Sequence, residues 1–135
     1  MLGDSTGFAS FSVDDTGTAR EFYEGVLGLE VRSGMEDMIT LHLAGGTRAM
    51  AYAKGDAHRP ASFTVLHFPV EDLPGTMDGL AAKGVTFLRY PDIADVDDRG
   101  LHTLEDGALQ GAWFTDPAGN IIGLMSGPGA RLMEG

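Results

Sequence analysis

The chain carries the same order of elements twice, and no other feature narrows its fold as much. Asp15 stands ahead of an apolar stripe at helical spacing, Ala19, Phe22, Tyr23, Val26 and Leu27, and Gly28 follows it. A carboxylate there accepts the free N–H groups of a first helical turn, and glycine takes the left-handed backbone that ends a helix. Residues 8–13 before this helix read as a strand. Residues 29–32, 38–43 and 48–54 read as three more, with Gly45-Gly46 turning between the last two.

The second half runs in the same order. Residues 62–70 read as a strand, and Asp72 caps a helix whose apolar face is Leu73, Met77, Leu80 and Ala81, ended by Gly84. Strands are expected at 85–90, 109–115 and 121–126, with an acidic loop after the first and the turn Asp116-Pro117-Ala118-Gly119-Asn120 between the last two. A shift of 57 residues lays Val13 on Val70, Asp15 on Asp72 and Tyr23 on Leu80. Matching order, rather than identity, makes this a pair of βαβββ units. The polar joint Gly55-Asp56-Ala57-His58-Arg59-Pro60 separates a first module of about 7–54 from a second of about 61–126, both within one domain spanning 1–135. The expected fold class is α+β: two βαβββ modules forming a cleft-shaped, half-barrel mixed sheet with helices outside, and the cleft is where function is sought.

Composition excludes several function classes. With 43% hydrophobic residues in 135, one domain-sized core is affordable, and zero cysteines remove disulfides, thiolate metal sites and cysteine nucleophiles. A formal net charge of −11 repels phosphate backbones and anionic lipid, so neither nucleic acid nor a membrane is the expected partner. That charge either favours cationic small molecules or serves solubility alone. No window approaches a membrane span, and residues 1–5 do not read as a secretory signal, which makes a cytoplasmic location the expectation.

The segment Val13-Asp14-Asp15, Ala19, Phe22-Tyr23, Leu27-Gly28-Leu29 resembles the first-module signature of the vicinal oxygen chelate superfamily. That group includes glyoxalase I, bleomycin-resistance proteins, fosfomycin-resistance enzymes and extradiol dioxygenases. Val70-Glu71-Asp72-Leu73, Lys83-Gly84-Val85 and Phe114-Thr115-Asp116-Pro117-Ala118-Gly119-Asn120 resemble the second-module signature, and the resemblance runs from about Phe8 to Met125. It implies a homodimer, side by side or with modules exchanged. It does not fix the chemistry.

Enzymes of this superfamily hold a divalent metal with one His, Gln or Glu from each of four strands. In this chain the corresponding places fall on Phe8, on Ala51 or Tyr52, on Val65 and on Gly123. A metal requires several lone pairs converging at about 2.0–2.2 Å, and these side chains supply no usual ligand. The expectation is therefore no metal and no other cofactor.

Strand alternation from Val65 places His67 and Pro69 toward the cavity, from Phe8 it places Ser10 and Ser12 there, and from Gly123 it places Ile121 and Met125 there. Tyr52 and Trp113 add aromatic surface. The expected ligand-binding set is thus Phe8, Ser10, Ser12, Tyr52, Val65, His67, Trp113, Gly123 and Met125. His67 is the candidate for proton transfer or ligand contact. His42 is expected to reach the cavity, His58 to be solvated in the joint, and His102 to lie in the acidic loop between Asp92 and Asp106. That loop reads as a flap or a solvated excursion. Arg99 in a ligand place and Asp106 in the twelfth argue against calcium. The leading expectation is metal-independent binding of a small molecule, drug-like or cationic, by sequestration. The alternatives are a lyase or isomerase using a displaced metal or His67 as general base, and a binding module serving another protein.

Overall fold

The computed structural model describes residues 1–131, which divide after Pro60 into two units, residues 1–60 and 61–131. In the first, β1 (Ala9–Val13), β2 (Glu30–Ser33), β3 (Met38–His42) and β4 (Arg48–Ala53) form one sheet in the order β1-β4-β3-β2. The outer strand β1 runs parallel to β4 and the remaining pairs are antiparallel. In the second, β5 (Thr64–Pro69), β6 (Asp95–Val96), β7 (His102–Leu104), β8 (Leu109–Thr115) and β9 (Ile121–Ser126) follow the order β5-β9-β8-β7-β6. Again the first strand lies parallel to the last. The expected α+β class with two βαβββ units holds. Among the described residues, no helix is long and apolar enough to cross a membrane.

Capping sets where each helix starts. Asp15 accepts hydrogen bonds from the Thr18 N–H at 2.8 Å and the Thr18 hydroxyl at 2.7 Å, opening α1 (Thr16–Arg20). These two donors hold the Asp15 carboxyl below its ordinary value. Asp72 accepts from the Gly75 N–H at 3.0 Å and opens α2 (Leu73–Ala82). After α1 the helix widens into a π turn over Glu21–Val26, where the Leu27 N–H reaches back to the Phe22 carbonyl. Gly28 lies thirteen positions after Asp15 whereas Gly84 lies twelve after Asp72, and the wide turn accommodates the extra residue. Both glycines have positive φ, and the Leu29 N–H bonds the Tyr23 carbonyl at 3.0 Å as the Val85 N–H bonds that of Leu80 at 3.1 Å.

Each helix covers one sheet face. Phe11, Val13, Val31, Ile39, Leu41, Ala49 and Ala51 are buried with Ala19 and Tyr23 in the first unit, where the Tyr23 ring lies 6.0 Å from that of Phe11. In the second unit Ala112, Phe114, Ile122 and Leu124 are buried with Leu73 and Met77 of α2, and Phe87 meets Phe114 edge to face at 5.8 Å. Leu80 is half-buried. Ala81, expected on the apolar face, is exposed because the α2 stripe is narrower than the spacing implied. A short helix α3 (Pro128–Arg131) follows β9.

Residues 85–90 are not a strand. The Leu88 N–H donates to the Trp113 carbonyl at 2.8 Å, but the Tyr90 N–H is taken by the ring of His102 and Pro91 follows. The place beside β8 is filled instead by β7, in antiparallel register with Leu109–Gly111. The Asp-Pro-Ala-Gly-Asn segment locks itself: Asp116 accepts from the Asn120 N–H at 2.8 Å and from its side-chain amide at 3.2 Å. Both residues are buried, and the Asn120 Oδ1 accepts from the Ala61 N–H at 3.4 Å.

Candidate functional site

Each unit has a face away from its helix, and most of the expected ligand-binding residues lie on these two faces. On the first, register sets Ser10 beside Met50 and Ser12 beside Tyr52, which in turn faces Met38 on β3. Ser10 is exposed, Ser12 and Tyr52 are half-buried, and Phe8 precedes β1 with 63% of its surface exposed. Ala51 is fully buried on the opposite, helix-facing side. His58, expected in solvent, is buried instead, with its Nδ1 2.7 Å from the Ser12 hydroxyl. Backbone bonding of the His58 N–H to the Gly55 carbonyl turns the chain back so that the ring returns to β1. His42 is half-buried and pairs with Glu30 at 3.4 Å, across the β2–β3 ladder.

On the second face the expected alternation along β5 is interrupted. Thr64 is opposite Ile121 and Leu66 opposite Ile122, so Val65 is an extra residue, a bulge. Beyond it His67 pairs with Gly123, and Pro69 with Met125. The neighbour that the bulge brings to Gly123 is Thr64. A Cβ on residue 123 would lie 3.0 Å from His67 Nδ1, 3.1 Å from Thr64 Cγ2 and 3.1 Å from Trp113 Nε1. Trp113 is opposite Gly123 in the β8–β9 register. Desolvation by this surround lowers the proton affinity of the His67 imidazole below its ordinary value, which favours the neutral ring.

Trp113 is held by residues that sequence reasoning did not associate with it. Three adjacent carbons of its six-membered ring lie 2.9, 3.3 and 3.4 Å from the point a Cβ on Gly111 would occupy, the spacing of a ring lying face-on over the glycine. His102, expected in the acidic loop, is fully buried on β7 and stands across the indole at 4.9 Å and 84°. Tyr90 stands across it at 5.7 Å and 78°. His102 accepts from the Tyr90 N–H through Nε2 and faces the Gly100 carbonyl through Nδ1, both at 2.9 Å, which fixes the Nδ1–H tautomer.

The acidic segment is folded rather than a free excursion. The Asp97 carboxylate accepts from the N–H groups of Arg99 and Leu101 at 3.0 and 2.9 Å, and Arg99 reaches Asp78 at 2.9 Å. Beside it lies a hollow of about 310 Å³ lined by Ile93, Asp95, Thr103, Glu105 and Asp106, among others.

A model of the Glyoxalase/Bleomycin resistance protein/Dioxygenase superfamily matches residues 7–124. The chain belongs to that superfamily. Among solved structures of similar fold is the fosfomycin resistance protein FosX from Listeria monocytogenes, at 14% identity and a TM-score of 0.69, covering 90% of this chain and 91% of that one. TnmS3, an antibiotic binding protein from a Streptomyces species, matches at 21% and 0.62 over 92% and 98% of the two chains. A glyoxalase / bleomycin resistance protein from Catenulispora acidiphila matches at 22% and 0.64 over 90% and 97%. Curated proteins yield no match.

The superfamily implies a divalent metal, and the residues at its expected places do not fit one. Phe8 and Val65 offer no lone pair, Ala51 faces the helix side, and Gly123 has no side chain while three neighbours crowd the space one would need. Tyr52 is the one oxygen among these positions. Among the described residues, no group of three or more His, Asp or Glu is arranged to hold an ion.

Proposed function

We propose that this superfamily member binds a small molecule on the faces away from its helices and releases it unchanged, without a divalent metal. The crowding at Gly123 carries this reading. Where a ligating carboxylate would have to stand, His67, Thr64 and Trp113 converge instead, and the result is an aromatic and hydrogen-bonding surface. The antibiotic-binding and resistance proteins of similar fold support a drug-like ligand, and the net charge of −11 favours a neutral or cationic one over an anion. The working form is taken to be a cytoplasmic homodimer.

A thermal-shift screen of aromatic and cationic drug-like compounds, run with and without EDTA, tests it. Binding at a hundred times Kd stabilises by about 2.7 kcal/mol, EDTA leaves the shift unaltered, and mass spectrometry recovers the compound intact. Near one equivalent of Ni, Zn, Fe or Mn in protein purified without chelator overturns the reading. A second reading, a lyase or isomerase with His67 as general base, draws on the lowered proton affinity that partial burial gives that ring. It requires turnover that His67→Ala abolishes.

A further inference from the structure

Where β5 and β9 finish side by side, the second unit holds a hollow of about 500 Å³ lined by Val70, Glu71, Gly127, Ala130 and Arg131. The Val70 N–H donates to the Met125 carbonyl at 2.8 Å, and Glu71 follows directly. Arg131 reaches the same hollow from a pinned turn. Gly127 has φ +99°, and a Cβ there would lie 2.7 Å from the Ala108 carbonyl oxygen, which accepts instead from the Gly129 N–H at 2.8 Å. Ala130 is buried behind this turn and Arg131 comes next. The two charges lining the hollow are opposite, yet they do not close on each other. Among the described residues, neither Glu71 nor Arg131 has an ion pair or a side-chain hydrogen bond.

We propose that this hollow binds a small zwitterion, with its carboxylate on Arg131, its ammonium on Glu71 and its carbon frame against Val70 and Ala130. A guanidinium only donates and matches a carboxylate with two parallel bonds, while the Glu71 carboxylate only accepts and suits an ammonium. A ligand of one charge satisfies one of these groups and sets its like charge beside the other. A ligand of both charges satisfies the pair. The net charge of −11 draws in an ammonium, and Arg131 supplies the local cation that a carboxylate needs in so acidic a chain. The volume suits a molecule of amino-acid size or somewhat larger. None of the lining residues belongs to the expected ligand-binding set, so this site stands apart from the receptor reading above.

Two zwitterionic probes, leucine and 6-aminohexanoate, hold their charges at short and long separation. Each is set against its amide, which keeps only the ammonium, and its deamino analogue, which keeps only the carboxylate. In titrations of the full-length protein labelled with nitrogen-15, at low ionic strength, at least one zwitterion is expected to bind about fivefold tighter than both of its analogues, the worth of one exposed ionic contact. The backbone N–H signals of Glu71, Gly127, Ala130 and Arg131 should move and saturate together. Glu71→Gln removes the advantage over the deamino analogue and keeps that over the amide, and Arg131→Gln does the reverse. Both side chains are exposed, so neither change disturbs the core. Affinities that ignore the second charge, shifts centred on other residues, or preferences that survive both substitutions overturn the proposal and leave the receptor reading standing.

Discussion

The hydroxyl of Ser12 and Nδ1 of His58 lie 2.7 Å apart, a hydrogen bond that brings a histidine from the polar segment after β4 onto the face of β1. Because His58 is buried, Ser12→Ala removes a partner from a group that water cannot readily satisfy. A loss of about 1–2 kcal/mol is expected in urea unfolding, with Ser12→Thr retaining most of the stability. An unchanged midpoint for the alanine variant would show that the bond contributes nothing.

His102 contributes more, since it is fully buried and ties Tyr90 and Gly100 to β7 through both ring nitrogens. His102→Leu fills much of the volume but strands the Tyr90 N–H and the Gly100 carbonyl. The expected cost is about 2–4 kcal/mol. The emission of Trp113 should also shift as the ring 4.9 Å from it is replaced, measured by intrinsic fluorescence of the single tryptophan.

Gly111→Ala tests the seat of the indole. A methyl there comes within 2.9 Å of a ring carbon, so the ring must lift from the strand or the backbone must shift. Overpacking of this kind costs about 1–3 kcal/mol. The indole N–H resonance should broaden or move without any ligand. A variant with native stability and an unmoved resonance would contradict the face-on placement.

Acid is expected to weaken the fold through His67. Its proton affinity is lowered in the folded chain from an ordinary value of 6.5, so as pH falls through 6.5 the unfolded chain takes up the proton first. The unfolded state then binds more protons than the native state, and stability declines from 6.5 down to the lowered folded value, below which the loss is complete. Urea midpoints measured from pH 7.5 to 5 should fall less for His67→Gln than for the parent chain. Parallel curves would place the pH dependence elsewhere.

The repeat, both capping aspartates and the self-bonded Asp116-to-Asn120 turn could be read from the sequence because each rests on contacts between near neighbours. The bulge could not: Thr64, Val65 and Leu66 all suit a strand, and nothing in their order marks which one is extra. His58 and His102 read as loop histidines because their partners lie far along the chain, 46 residues away for Ser12 and 12 for Tyr90. The same diversion of the Tyr90 N–H to a ring explains why a strand-like stretch at 85–90 forms no ladder. Of the site residues, Ser10, Ser12 and Tyr52 share one face and His67, Trp113, Gly123 and Met125 the other. Thr64, Gly111 and His102 had no signal beyond ordinary strand composition.

The widened turn at Glu21–Val26 makes the two halves unequal by one residue in the path from cap to stop. In a regular helix each residue advances the chain by about 100° of rotation, so an uncompensated extra one would swing everything after it off the sheet. The π turn works as a spacer that takes up this rotation locally. Excising Gly25, which is exposed and where an added Cβ would meet nothing, should let the segment relax into ordinary helix and give the first half the length of the second. The duplication thus retains a removable one-residue surplus, a natural point at which to build a chain of two equal halves.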